Sequence, residues 1–377
     1  MGLIKSVVGL RLGKAYPLSV TINMTDLCQS RCTICDIWKR DPIKQIDPNV
    51  FRKQMQESEV LKEIKLFNLA GGEPFIADVL PEIVDAVATY AKKPEIRIVT
   101  NGFATKRIEK SVRMFLEKYP SIPFGIKLSL DGMEENHNKT RGLPNAFPLV
   151  MESLDILQKL QKEFPGRMRI NFGYTVTREN VGDIGEVNKL AQEKGVGFLF
   201  KPILKVKKFS AEDGYEKLYL KEEDYKTMMK FVPEVRKSLK DRPLHEQLVY
   251  RAYYNYLDEY SQKPACYMQC FAGANSFYIV PSGDVMPCLL VDWKMGNINE
   301  KPFDEIWHSA SASGVRNKIQ ESACHCLTPC DTIPNLIANG LPFLTTNDRT
   351  EIKPDEPLLY ETKNPMLKEK EHDLSAM

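Results

Sequence analysis

The sequence predicts an α/β protein built on a parallel sheet. Two observations carry this expectation. Between residues 17 and 202, six short apolar runs alternate with amphipathic helical stretches, and polar or glycine residues recur where the runs end. Strands alternating with helices imply βαβ units, which cover a parallel sheet with helices. A third observation concerns chemistry: the nine cysteines fall in groups rather than scattered along the 377 residues. Hydrophobic content of 43% and charged content of 27% allow a sizeable core. The net charge is only +2 and the basic residues are not striped, so nothing argues for nucleic acid as a partner.

The elements follow in order. Pro17 to Met24 reads as the first strand, with Leu18, Val20 and Ile22 alternating with Ser and Thr. A Pro-containing loop and a helix over Asn49 to Val60 lead to a second strand, Ile64 to Ala70, ending in Gly71-Gly72-Glu73-Pro74. Asp78 is the expected cap of a helix with the stripe Ile83, Val84, Val87 and Ala91. Ile96 to Thr100 is the third strand, running into Asn101-Gly102, and Ile108, Val112, Phe115 and Tyr119 mark the next helix. Phe124 to Leu130 is the fourth strand, ending in Ser129-Leu130-Asp131-Gly132, followed by a helix with Phe147, Val150, Leu154 and Leu157. Met168 to Val176 is the fifth strand, a helix carries Ile184, Val187 and Ala191, and Val196 to Phe200 is the sixth strand. This spacing permits a β/α barrel, with its site at the C-terminal strand ends, or a flat doubly wound sheet.

Cys28, Cys32 and Cys35 stand in a C-x3-C-x2-C spacing just after the first strand. One short loop can wrap three such thiolates around a single centre. A structural zinc wants four closed ligands, so three local cysteines leave a position open or need a distant fourth. A [4Fe–4S] cluster held by three thiolates keeps one iron free. The absence of a secretory signal and the clustering of the thiols suit metal ligation in a reducing, cytoplasmic compartment rather than disulfides.

From about Ala211 to Tyr260 the pattern turns helical. Tyr250, Tyr253, Tyr254, Tyr256 and Tyr260 are expected to be core rather than pocket lining. Then Ser276 to Val280 and Val285 to Cys288 read as a β-hairpin around Pro281-Ser-Gly283-Asp, which brings Cys270 and Cys288 together. Cys324-His325-Cys326 and Cys330 follow, and Ile333 to Ala338 reads as a short helix. A four-cysteine zinc ribbon is the alternative use of this second set.

The cysteine triplet, Gly71-Gly72-Glu73-Pro74, Ser129-Leu130-Asp131-Gly132, and the order C-x-A-G, hairpin, P-C, G-N-I and I-W resemble the radical S-adenosylmethionine (SAM) enzymes with a C-terminal SPASM/Twitch extension. The resemblance spans Leu18 to Cys330. It implies a partial (β/α)6, TIM-like barrel over 17–210, a helical linker over 211–264 and a small SPASM/Twitch-like domain over 265–340. An N-terminal helical segment (1–16) and a C-terminal tail (341–377) flank these. It implies a SAM-binding [4Fe–4S] cluster on Cys28, Cys32 and Cys35, and one auxiliary [4Fe–4S] cluster on Cys270, Cys288, Cys326 and Cys330. Cys266 and Cys324 are left over, and His325 is expected to be incidental to ligation. Gly72 and Glu73 would meet the amino group of SAM, Ser129 and Asp131 its ribose region, Arg141 its carboxylate, Asn101 its ribose or methionine part, and Val176 its adenine. Ile34 departs from the aromatic residue frequent before the third cysteine.

The implied reaction is reductive cleavage of SAM to a 5′-deoxyadenosyl radical. That radical removes hydrogen from an unactivated C–H bond, and the auxiliary cluster assists oxidation of the substrate radical. The implied reductant is a flavodoxin or ferredoxin. The substrate expected is a small molecule, sugar or lipid. The alternative is a ribosomal peptide delivered by a separate leader-binding partner, because only Met1 to Tyr16 precede the first strand. A non-catalytic iron–sulfur or zinc-binding protein is the reading from another class. Gly2 to Lys14, too short to span a membrane, is expected to cover one end of the fold, with attachment to a membrane surface as the alternative.

Overall fold

The computed structural model describes residues 16–204, 215–240, 242–322, 324 and 326–341. The expected N-terminal helical segment, the tail beyond residue 341, the first residues of the 211–264 linker and His325 lie outside the described residues.

The six expected strands all form: β1 (Ser19–Asn23), β2 (Leu66–Ala70), β3 (Glu95–Thr100), β4 (Phe124–Ser129), β5 (Met168–Val176) and β6 (Gly197–Pro202). They lie side by side in chain order, each parallel to the next. A doubly wound sheet needs a point where strand order reverses. Among the described strands the order runs β6-β5-β4-β3-β2-β1 without reversal, and this leaves the partial barrel.

Helices α1 (Pro48–Glu57), α2 (Glu59–Glu63), α3 (Leu80–Tyr90) and α4 (Thr105–Lys118) follow the first strands. Then come α5 (Glu134–Arg141), α6 (Ala146–Glu163) and α7 (Ile184–Glu193). The helix expected over 49–60 is broken at Ser58, whose hydroxyl accepts from Leu61 N–H and starts α2. Asp78 does not cap α3. Val79 holds that place, and the Asp78 carboxylate faces Arg107 at 3.3 Å.

The strands alternate in a way that positions the site. Ile96, Ile98, Ile126, Leu128, Phe172 and Phe198 are buried, whereas Arg97, Lys127, Ser129, Asn171 and Lys201 are half-buried. Strand side chains alternate between faces, so the apolar set packs on the helices and the polar set lines the concave face. A closed TIM barrel fills that interior with branched apolar residues. Here it is polar. Gly125 and Gly173 lie on the same face and make way for long side chains: a Cβ at Gly173 would sit 2.2 Å from Lys127 Cε, and one at Gly125 3.0 Å from Arg97 Cγ.

Helices α8 (Glu222–Lys230), α9 (Val232–Ser238) and α10 (Leu244–Gln262) form the helical region. The tyrosines of α10 are core, as expected. Phe200 N–H donates to Tyr254 Oη, and Tyr253 Oη donates to Leu327 O. This helix therefore ties the last barrel strand to the C-terminal segment.

The hairpin forms as β7 (Ser276–Ile279) and β8 (Asp284–Met286), followed by β9 (Gly296–Asn297). It does not build a sheet of its own. β7 pairs parallel with β1, from Ser19 opposite Ser276 to Ile22 opposite Ile279, and β8 and β9 extend one nine-stranded sheet. The expected small domain is thus continuous with the barrel. The reason is that β1 begins the barrel and would otherwise leave an open edge of unpaired N–H and C=O groups. Helices α11 (Phe303–Trp307), α12 (Ala310–Glu321) and α13 (Pro329–Ala338) complete the described chain.

Candidate active site and auxiliary cluster cradle

The cysteine loop is held from two sides by backbone groups. On one side Gly72 N–H donates to Thr25 O and Glu73 N–H to Leu27 O, both at 2.7 Å. A Cβ at Gly72 would lie 2.0 Å from Leu27 O, and Gly71 has φ +133°. The glycines therefore serve the approach of the cysteine loop itself, where sequence reasoning had assigned them to a ligand. On the other side stands α5, a helix that the sequence reading did not place. The last carbonyls of a helix have no partner within it. Here Thr140 O accepts from Thr33 N–H at 2.8 Å and Arg141 O from Arg31 N–H at 3.1 Å.

Glu73 is fully buried. Its carboxylate accepts from Phe75 N–H at 3.1 Å, Thr100 Oγ1 at 2.7 Å and Asn101 N–H at 2.7 Å. Burial outweighs these donors and lifts its pKa to about 7. Asn101 in turn points Nδ2 at Cys28 Sγ, 3.9 Å away. Burial pushes the Cys28 thiol up to about 12 and that of Cys35 to about 11. Ligation must therefore displace the protons from these thiols.

Arg141 and His137, four residues apart, share one face of α5 and both meet Asp131. Arg141 Nη2 lies 2.5 Å from Asp131 Oδ2, and Arg141 Nη1 reaches Cys32 Sγ at 3.8 Å. Asp131 Oδ1 accepts from Thr175 N–H at 2.8 Å, and Asp131 N–H donates to His137 Nδ1 at 3.0 Å. Burial disfavours the Arg141 cation, but Asp131 and then Cys32 outweigh it and hold its pKa above the ordinary value. Burial, helped by Arg141, keeps His137 neutral down to about 2. Buried polar atoms here without a hydrogen-bond partner among the described residues include Arg141 Nε, His137 Nε2 and Gln29 Oε1, while Asp131 Oδ2 has only its ion pair with Arg141. Orphaned buried polar groups are costly and scarce, and these fit a site that a polar cofactor completes.

The expected residues thus converge, with two differences. Arg141 is a buried helix residue that already holds an ion pair. Val176, expected against adenine, is fully buried, and its partner across the ladder is Pro202. It alternates to the face opposite Thr175 and Lys201, so the structure does not bring it to the others. Ser129 is half-buried on the concave face.

The second thiol set surrounds a cavity lined by Cys270, Cys288, Cys324 and Cys326, with Asp331 and Asn335 at its wall. Cys324 was left over in the sequence reading, whereas Cys330, assigned there to the cluster, is not among the lining residues. Spacing could not decide this, because all three thiols lie within seven residues. Cys266 donates to Met268 O at 3.3 Å and is turned to backbone. Asn335, which sequence reasoning missed, donates from Nδ2 to Cys270 Sγ at 3.4 Å and accepts from Phe271 N–H at 2.8 Å. Asp331 accepts from Ser276 Oγ and Tyr278 Oη, and its pKa is raised to about 7 by burial. Hydrogen bonding from Cys324 lowers the Cys270 pKa, while burial raises that of Cys288. Among the described residues no three His, Cys, Asp or Glu side chains are gathered around one metal-ion position.

Residues 22–191 match the radical SAM superfamily and residues 270–331 match the SPASM iron–sulfur cluster-binding domain. The chain belongs to the radical SAM superfamily and carries a C-terminal SPASM domain. It is an enzyme, and its cofactors are a SAM-binding [4Fe–4S] cluster, SAM and auxiliary iron–sulfur. It is 22% identical over 319 residues to the sporulation killing factor maturation protein SkfB of Bacillus subtilis, covering 84% of this chain and 70% of that one. It is 27% identical over 256 residues to the AdoMet-dependent heme synthase of Methanosarcina barkeri, covering 64% and 68%. Two solved structures share the fold. AnSMEcpe with bound AdoMet superposes with a TM-score of 0.60 at 22% identity over 80% of each chain. SuiB of Streptococcus suis bound to its precursor peptide SuiA gives 0.57 at 18% identity over 83% of this chain and 70% of that one. Among the described residues no helix is long and apolar enough to cross a membrane.

Proposed function

We propose that this enzyme removes hydrogen from an unactivated C–H bond of a substrate held on the concave face of the barrel, between the two thiol sets. The cofactors would supply the reactive species, a 5′-deoxyadenosyl radical from reductive cleavage of SAM. Cys28, Cys32 and Cys35 would hold that cluster. Glu73, Asn101, Ser129, Asp131 and Arg141 would position SAM, with the Arg141 Nε donor open to its carboxylate. Cys270, Cys288, Cys324 and Cys326 would hold one auxiliary cluster, positioned to take an electron from the product radical. The reductant would be a flavodoxin or ferredoxin.

One observation carries the reading. Glu73, Asn101, Asp131 and Arg141 join the loop of Cys28, Cys32 and Cys35 in one contact network at the C-terminal strand ends, and Arg141 Nε there has no partner among the described residues. The preferred substrate is a small molecule, and the likeness to a heme synthase supports it. A ribosomal peptide is the second reading, favoured by the likeness to SkfB.

Iron and sulfide per chain in anaerobically reconstituted protein test the cofactor assignment. About eight irons should fall to about four when Cys28, Cys32 and Cys35 are all changed to Ala. Cys324→Ser should remove or degrade the auxiliary cluster, and Cys330→Ser should leave it. Formation of 5′-deoxyadenosine on addition of reductant tests the reaction. Full iron with no SAM cleavage would leave a non-catalytic iron–sulfur protein.

A further inference from the structure

The concave face of the barrel carries two lysines that the functional reading does not use. Lys127 stands on β4 and Lys201 on β6, separated by β5. Lys127 pairs with Asn171, and Lys201 with Thr175. Four residues along β5 separate those partners, about 13 Å of strand rise. The Lys127 stem closes much of that gap. Its Cε lies where a Cβ of Gly173 would be, 2.2 Å away, halfway along β5 from Asn171 to Thr175. Gly173 thus provides a groove for the Lys127 chain, and its ammonium is carried up toward Lys201 at the C-terminal mouth. Burial lowers the pKa of both. For Lys201, brought to about 8, Lys127 is the next cause; for Lys127 it is Cys330, which acts in the opposite sense.

The neighbouring charges are already matched. Arg97 pairs with Glu95 at 2.6 Å, Arg242 with Glu246 at 3.2 Å, and Arg141 with Asp131 at 2.5 Å. Glu73 and Asp331 are each taken up by hydrogen-bond donors. Lys127 and Lys201 have no carboxylate within ion-pair distance among the described residues. Two converging ammonium groups in a half-buried lumen repel each other and pay for desolvation, and an anion between them relieves both costs.

We propose that Lys127 and Lys201 form a substrate-anchoring subsite for an anionic group, a carboxylate or a phosphate, on the concave face at the C-terminal mouth of the barrel. The inference rests on the radical SAM reading, since it places the anchored group between the two cluster sites. It narrows the substrate class to molecules bearing such an anion near the carbon that reacts.

The test uses the anaerobically reconstituted full chain with SAM bound. Pyridoxal 5′-phosphate, an anionic aldehyde, is added, the imine with lysine is trapped with cyanoborohydride, and the modified lysines are mapped by mass spectrometry. Lys127 or Lys201 should be labelled, and inorganic phosphate or succinate should protect, whereas sodium chloride at equal ionic strength should not. The more effective of phosphate and succinate identifies the anion. K127Q and K201Q should each weaken the protecting anion by about tenfold or more, the value of a charge-assisted hydrogen bond. K127R and K201R should retain most of the affinity. Protection that is absent in the wild type, or unchanged in the Gln variants, overturns the proposal. So does a shift in auxiliary cluster potential in the Gln variants with anion affinity unaltered, which would assign the lysines to the cluster instead. Wild-type iron content and 5′-deoxyadenosine formation are measured alongside, so failure of the radical reading shows there and not in the labelling.

Discussion

Replacing Arg141 by Met removes one partner of a buried ion pair and leaves the other in place. Asp131 is fully buried and the Arg141 side chain is 11% exposed, so little water is available to solvate the orphaned carboxylate. Breaking such a pair costs about 3–5 kcal/mol, more than the pair itself contributes, because the remaining charge stays buried. The variant should lose several degrees of thermal midpoint, since about 1 kcal/mol shifts the midpoint of a domain this large by roughly 1–2 °C. Asp131→Asn keeps an acceptor for Thr175 N–H and removes the charge. The double variant D131N/R141M should therefore be more stable than R141M alone. Arg141→Lys keeps a cation for Asp131 but gives up the planar fork that reaches Asp131 and Cys32 together, so its loss should be intermediate. Differential scanning calorimetry on the four proteins, with iron content as a check on loading, measures this. An R141M midpoint within a degree of wild type, or a double variant less stable than R141M, would refute the argument that Asp131 depends on this guanidinium.

Other outcomes follow from single contacts. Gly72→Ala puts a Cβ 2.0 Å from Leu27 O, which is backbone and cannot yield locally, so the cysteine loop must move; iron should fall by about half with the auxiliary cluster retained. Gly166→Ala is its control: a Cβ there meets nothing within 4 Å, and its φ of +74° costs about 1 kcal/mol without touching iron content. His137 stays neutral down to about 2 in the folded chain but takes a proton near 6.5 when unfolded. Its contribution is therefore complete above pH 6.5 and lost as the pH falls, about 2 kcal/mol by pH 5, and urea titrations from pH 7 to 5 should show a shallower acid limb in His137→Gln. Gln54 holds Ile298 O, Lys301 O and Phe303 N–H at 2.7, 3.0 and 2.7 Å. Gln54→Leu should cost about 2–3 kcal/mol through the unpaired backbone groups, and amide exchange should rise first at Phe303.

Much of the barrel was legible because each strand–helix unit carries its own periodicity. β5 runs from Met168 to Val176 as the alternation in the sequence predicts. Helix α5 was not legible, because Glu134 to Arg141 contains no apolar stripe. It is held by burying His137 and Thr140 and by lending its last carbonyls to the cysteine loop, and both are tertiary effects. The pairing of β7 with β1 joins Ser276 to Ser19, far apart in sequence, and no local pattern marks it. The hairpin was readable from its turn; its place in the sheet was not. The presence of Cys324 rather than Cys330 at the cavity wall is of the same kind, since it depends on where α13 begins relative to the hairpin. The glycines of Gly71-Gly72 were noticed for the right property, absence of a side chain, but the backbone they admit belongs to the chain.

The site works as a unit because of how a parallel sheet orders its ends. Neighbouring strands lie about 4.8 Å apart, so segments that leave consecutive strand ends must meet. The loop after β1 carries Cys28, the loop after β2 carries Glu73, the end of β3 carries Thr100 and Asn101, and the loop after β4 carries Asp131. The contacts run in that order. Glu73 N–H holds Leu27, the Glu73 carboxylate holds Asn101 N–H, and the Asn101 amide reaches back to Cys28. Asp131 closes the series through Arg141 to Cys32. Motifs dispersed over more than a hundred residues thus become one ring of contacts around the cysteine loop. The hairpin uses the same rule in the other direction. By adding β7 beside β1, it brings Tyr278 and Asp331, and with them the second thiol set, to the strand that delivers the first. The second thiol set is therefore tied to the first by strand pairing rather than by a flexible linker.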